Sequence, residues 1–304
     1  MPASTTVRTV LFTLAAVAAV AMAVAGAIVF GGLYNVASTA QHTQPVYSML
    51  ELAMRQSVRL RARDIELPKL DDERLVVRGA ACFKEKCVQC HGAPGVAQND
   101  IGKSMQPVPG PLVDAGQRWR PRELYWLTRH GIKMSGMPAW EFHLSDDDIW
   151  AVVAFLGRLP GLTPRQYATL SETPAVAAGL RPNPSAAADA GAPAPMRVSC
   201  GVEPTQAPPP GGGDINRGKR AMYQYACNAC HTIPGVTGST PNVGPPLAGM
   251  SGRRLIAGKL PNTPENMVRW LRHTHEVAPM SAMPEMGVSA RDAQDLAAYL
   301  ATLD

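Results

Sequence analysis

The pentapeptides CVQCH at 87–91 and CNACH at 227–231 each place two thiols and an imidazole within five residues. Two thiols can add across the two vinyl groups of haem. A two-residue spacer within a helical turn puts both sulfurs on one edge of the macrocycle, and the adjacent histidine then faces the iron. C-x-x-C-H is the attachment pattern of c-type haem. Taken alone, CxxC also suits half a zinc knuckle or a thiol redox pair. A zinc site would need two more ligands at comparable spacing, and neither stretch offers a second CxxC. Each motif is followed downstream by Met-Pro: Met137-Pro138 after His91, and Met283-Pro284 after His231. Histidine with methionine is the axial pair of electron-transfer c-haems, in which the thioether raises the potential. The candidate haem-binding residues are therefore Cys87, Cys90, His91 and Met137, and Cys227, Cys230, His231 and Met283. The iron ligands among them are His91, Met137, His231 and Met283, and no catalytic residue is expected. Rival donors stand nearby: Met134, and the Met280, Met283 and Met286 run, could hold Cu(I). His130, His143, His273 and His275 could make a bis-histidine centre of lower potential.

Elements that could position these groups recur in the same order. The first stretch reads RGAACFKEKCVQCH, PGPL, RPRELYWLTRHGI, SGMPAW and SDDDIWAVVAFL. The second reads RGKRAMYQYACNACH, GPPL, TPENMVRWLRHTH, SAMPEM and SARDAQDLAAYL. Each begins with a helix-forming segment, with Phe83 and Tyr223 both four residues before the first motif cysteine. Each closes with a helix capped by Ser145 or Ser289, acidic in its first turn. No alternating strand pattern with hairpin signals intervenes, so the fold class is all-α.

The expected organisation is a transmembrane anchor at 1–40, a juxtamembrane segment at 41–70, a first domain at 71–170, a linker at 171–213 and a second domain at 214–304. An uncharged apolar run from Val10 to Tyr34 is long enough to span a bilayer and longer than a usual cleavable h-region, with a signal cut at the small residues around Ala21 to Ala25 as the alternative. The juxtamembrane segment carries Arg55, Arg59, Arg61, Arg63 and Lys69 at helix-compatible spacing, suited to headgroups, a partner subunit or a solvated stalk. The linker is rich in Pro, Ala and Gly and has few large apolar residues to offset its ordering entropy. A formal net charge of +5 without a long Lys/Arg run excludes nucleic acid as an expected partner. No ring of lysines suggests electrostatic docking either.

On these residues both stretches resemble class I cytochrome c domains. RGAACFKEKCVQCHGAPGV and HGIKMSGMPAW are similar to the membrane-anchored mono- and dihaem cytochrome c group. GPPLAGMSGRRLIAGKLPNTPENMVRWL is similar to domains linked to haem-copper oxidases. The resemblance implies two covalently bound haem c groups, with His91 and Met137 axial to one and His231 and Met283 to the other. It implies that the first and last helices of each domain cross, Gly79 and Phe83 meeting Phe155, and Gly218 and Tyr223 meeting Tyr299. A proline carbonyl is implied as acceptor for the ligating histidine, filled by Pro245 in the second domain and by Pro109 or Pro111 in the first. Haem attachment in this family takes place on the oxidising side of the bacterial inner membrane, so both domains are expected in the periplasm. Cys82 is expected as a small buried hydrophobe, with a Cys82–Cys200 disulfide as the alternative. The implied activity is single-electron transfer in a respiratory chain, from an upstream donor towards a terminal oxidase. It is that of an electron carrier rather than an enzyme, with no small-molecule substrate. The alternatives are the cytochrome subunit of a periplasmic dehydrogenase, or a dihaem peroxidase, which would need an open sixth position.

Overall fold

Apolar residues unbroken by charge beyond Arg8 give a first helix, α1 (Ala3–Phe30). Its Thr5–Phe30 stretch is long and apolar enough to cross a membrane. The apolar run continues to Tyr34, but the helix stops at Phe30 because Gly31 and Gly32 follow, with Gly32 in the left-handed region at φ +64°. The computed structural model describes residues 3–172, 200, 212–238 and 243–304. The linker expected over 171–213 thus lies outside the described residues, apart from 171–172, Cys200 and 212–213. The chain divides into two units, Met1–Gly201 and Val202–Asp304, each with its own core.

In the first unit α2 (Gln44–Ala62) precedes α3 (Glu73–Lys86), the short turns α4 (Val88–His91), α5 (Asp100–Lys103) and α6 (Ala115–Arg118), then α7 (Pro121–His130), α8 (Asp146–Arg158) and α9 (Pro164–Ser171). The second unit has α10 (Ile215–Gln224), a 3-10 turn at Cys227–Ala229, a ribbon of β1 (Leu255–Ile256) with β2 (Leu260–Pro261), then α11 (Pro264–Arg272), α12 (Thr274–Val277) and α13 (Ala290–Leu300). Apart from this two-residue antiparallel pairing and one isolated bridge between Ala93 and Val96, the regular structure described is helical, as the missing alternation requires.

Each unit is organised by one helix crossing. In the first, α3 crosses α8; in the second, α10 crosses α13. A Cβ on Gly79 would lie 1.9 Å from the Ala151 carbonyl oxygen, and one on Gly218 would lie 1.9 Å from that of Asp295. Only glycine permits so close an approach of backbones. Next to the first crossing, Phe83 and Phe155 are fully buried with ring centroids 5.2 Å apart. The closing helices begin as their sequences require: Ser145 Oγ accepts from Asp148 N and Ser289 Oγ from Asp292 N, both at 3.1 Å.

Tyr223 does not take the place of Phe83. Counted from the crossing glycine, the buried residue four positions on is Met222, whereas Tyr223 is 45% exposed and its Oη accepts from Thr237 N. Counting back from the cysteine misled because the second domain carries one extra residue between glycine and motif. Ala226, left-handed at φ +50°, absorbs it where the helix ends.

Candidate functional site

Both CxxCH motifs close a helical turn at the end of the opening helix. His91 N donates to Cys87 O at 3.0 Å, and His231 N to Cys227 O at 2.9 Å. The turn brings Cys87 with Cys90, and Cys227 with Cys230, while all four thiols remain unbridged. Cys87 is buried in the first core, and burial first, then the neighbouring Cys90, pushes its thiol up to about 12. Burial likewise pushes the Cys227 thiol up to about 11. Such groups are protonated at neutral pH, unlike the activated thiolate of a redox pair.

The histidines are oriented alike. His91 Nδ1 lies 2.8 Å from Gly110 O, and His231 Nδ1 lies 2.7 Å from Pro245 O. A carbonyl can only accept, so Nδ1 carries the proton and Nε2 keeps its lone pair for a metal. Burial lowers the pKa of His91 and the bond to Gly110 partly offsets this, which favours the neutral ring. Pro245 is the acceptor expected from the sequence. In the first unit the acceptor is Gly110, neither Pro109 nor Pro111, because VPGPL is displaced relative to GPPL. Gln98 secures that loop: its Nε2 donates both to Cys90 O at 2.7 Å and to Pro109 O. In the second unit Gly244 N donates to Cys230 O at 2.7 Å, and a Cβ on Gly244 would fall 2.5 Å from the His231 ring. That glycine gives the imidazole room.

The Met-Pro segments share one local geometry. Ser135 Oγ accepts from Met137 N at 3.2 Å, and Ser281 Oγ from Met283 N at 3.1 Å. Met283 packs with Cys227 against the second core, which brings this methionine and the motif to one apolar cluster. Met137 is half-buried, its loop closed by Ile132 N donating to Met137 O. The rival thioethers Met134 and Met280 are almost wholly exposed. The rival histidines have partners of their own: His130 faces Glu141, His143 meets the edge of Trp140, His273 faces Glu276, and His275 Nε2 contacts Ser281 O.

Cys82 and Cys200 form a disulfide, which corrects the expectation that Cys82 is simply buried. Six cysteines less four in the motifs leave these two to pair with each other. They surround the buried Asp148 in the one group of His, Cys, Asp and Glu side chains among the described residues with metal-holding spacing. Their bridged sulfurs leave no thiolate to bind with. Sequence reasoning also missed Gln98 and Gly110; an amide eight residues beyond Cys90 carries no recognisable pattern.

Paired free thiols beside a histidine with a committed Nδ1 and an available Nε2 fit covalent haem. Residues 74–156 match the family "Cytochrome C oxidase, cbb3-type, subunit III", and residues 215–304 match "Cytochrome c". Cytochrome c oxidase subunit 2 of Alkalihalophilus pseudofirmus is 33% identical over 89 residues, covering 29% of this chain and 25% of that protein. The shared region is thus a quarter of that relative's length. The chain is a c-type cytochrome with two class I cytochrome c domains, carried behind a helix apolar enough to cross a membrane.

Proposed function

We propose that this cytochrome is tethered to the bacterial inner membrane by α1 and carries single electrons through two haem c groups on the periplasmic side, towards a terminal haem-copper oxidase. Cys87 and Cys90 hold one haem, and Cys227 and Cys230 the other. The observation that carries this reading is the repeated imidazole geometry, in which a backbone carbonyl fixes the Nδ1 proton and leaves the Nε2 lone pair free to hold an iron. His91 with Met137 would hold one iron, and His231 with Met283 the other. When bound, the haem supplies a one-electron couple between Fe(III) and Fe(II). The protein contributes the apolar surroundings of Cys87 and of Met283, which exclude water and, with the thioether, raise the potential. It also fixes the histidines, which keeps reorganisation small. The oxidase as acceptor is favoured by the similarity of 89 residues of the chain to cytochrome c oxidase subunit 2 and by the match of residues 74–156 to the cbb3-type oxidase subunit III family. Arg8, before the apolar stretch, fits a cytoplasmic N-terminus.

A redox titration of isolated membranes tests the proposal, following the α-band and the near-infrared methionine-to-iron band. Two high-potential transitions, each with a methionine band, are expected. A missing methionine band, or one strongly negative transition, would overturn the ligand assignment and revive the peroxidase or bis-histidine reading.

A further inference from the structure

Helix α2 is divided along its length. Its C-terminal half docks on α7: Val58 and Ala62 are buried, and Arg55 lies 5.1 Å from the Trp119 ring. Nearby, Arg122 donates to Arg63 O at 2.7 Å. Among the described residues, the N-terminal half has no such cover. Val46, Tyr47, Met49, Leu50 and Leu52 are all exposed, as is Leu60 further on. At 3.6 residues per turn, Val46, Met49, Leu50, Ala53 and Leu60 share a face roughly opposite Val58 and Ala62. The uncovered apolar stripe therefore faces away from the domain.

We infer that this stripe lies in the outer leaflet's headgroup boundary, so that α2 rests on the membrane as an interfacial helix. The inference depends on the reading of α1 as an anchor. Three observations select lipid as the occupant. Helix α2 begins only 13 residues after α1 ends, and those residues (31–43) can extend no more than about 45 Å, so the connection keeps the stripe within reach of the membrane surface. Tyr34 and Tyr47 flank its start, as amphipathic rings do at membrane interfaces, and Tyr34 Oη bonds His42 Nδ1 at 2.6 Å within the connection. Arg59, Arg61 and Arg63 follow, all exposed, at the end where they would reach anionic phosphates. Apolar contact comes first along the helix and basic contact second. Because α2 is also packed on α7, resting on the bilayer would hold the whole first domain at a fixed tilt.

The test uses the full chain reconstituted in phosphatidylcholine vesicles containing some phosphatidylglycerol and an acyl-chain carbene-precursor lipid. With its native cysteines bridged or haem-bound, a single new thiol can be read alone in Leu50→Cys, Leu60→Cys and, as a water-exposed reference on α9, Arg165→Cys. A charged, impermeant maleimide should alkylate the first two at least tenfold more slowly than the third, and photolysis should attach lipid to the peptide holding residues 44–60. Equal alkylation in chains retained by the vesicles would overturn the inference while leaving the anchor intact. Protection without lipid adducts would overturn it in favour of a protein partner. Loss of the chain from carbonate-washed vesicles would refute the anchor itself.

Discussion

Replacing Gly79 by alanine tests whether the helix crossing holds the first haem domain together. The added methyl would sit 1.9 Å from Ala151 O, 2.5 Å from its carbonyl carbon and 2.8 Å from Phe155 Cβ. Two of these atoms are backbone within the buried middle of α8, so no side-chain rotation relieves the clash. The helices must part by about an ångström to restore contact, a gap that forfeits up to roughly half the dispersion between facing atoms. The affected pairs include Phe83 with Phe155, both wholly buried. Overpacking typically costs about 1–3 kcal/mol, and a rigid backbone places this site near the upper end. Alanine returns about 1 kcal/mol of helix propensity, leaving a net loss of about 2 kcal/mol. At roughly 4–8 °C per kcal/mol for a domain of this size, the first unfolding transition should fall by about 8–16 °C. Calorimetry of the oxidised protein separates it from the second domain's transition, which should not move. Gly218→Ala, with the same 1.9 Å approach to Asp295 O, should produce the converse pattern. A first transition within about 3 °C of the unsubstituted protein would refute the claim that the crossing admits only glycine.

Gln98→Ala should loosen the loop that presents Gly110 to His91. A weaker Nδ1 bond makes the imidazole less electron-donating, so the first haem's potential should rise by up to about 59 mV, the one-electron value for a tenfold change. The second haem serves as control in the same titration. Cys200→Ser should destabilise the first domain by about 2–4 kcal/mol in thermal unfolding. In the unsubstituted protein, any single cut within 173–199 should leave the two haem domains on one band in a non-reducing gel and on two after reduction, because Cys82–Cys200 bridges the cut. Burial pushes the Asp146 carboxyl up, but hydrogen bonds from Arg129 and Tyr125 and the Arg129 charge overcome it and leave the pKa below the usual value. Its stabilisation is thus present above about pH 4 and lost as pH falls through the folded value. Asp146→Asn should flatten acid destabilisation in that window by less than about 1 kcal/mol, since the pair is partly exposed; an unchanged acid-unfolding curve would show that the pair contributes nothing.

The sequence made the repeated helical units and their caps legible because CxxCH, Met-Pro and Ser-x-x-Asp are local patterns read within one turn. The glycine crossings were legible from family resemblance, since the RG dipeptide alone does not say which backbone comes close. Register was harder. Counting from the cysteine put Tyr223 at the offset of the buried Phe83, whereas the buried position is set by the crossing glycine and is held by Met222, and a single left-handed residue at Ala226 separates the two counts. The acceptor of His91 failed for a similar reason. A carbonyl carries no residue identity, so the VPGPL loop could be threaded to offer 109, 110 or 111, and only the bracing by Gln98 fixes which.

The two domains also solve one electrostatic problem differently. Each has an arginine directly before its crossing glycine, Arg78 and Arg217, and each arginine pairs with an aspartate that is 2% exposed. In the first domain the partner is Asp148, in the opening turn of α8, where it also accepts from Ser145. In the second the matching residue, Asp292, is taken by Tyr225 Oη at 2.7 Å and by Ser289. Arg217 instead reaches one turn further to Asp295, which also accepts from Asp214 N. A buried carboxylate without its cation would cost several kcal/mol, so Asp295 depends on Arg217 as Asp148 does on Arg78. With Asp292 engaged by Tyr225, Asp295 is the acid that holds Arg217. Tyr225 stands beside Ala226, the extra residue before the second motif. The displaced ion pair and the shifted cysteine register therefore meet at one place, where the second domain accommodates its longer approach to the haem-binding turn.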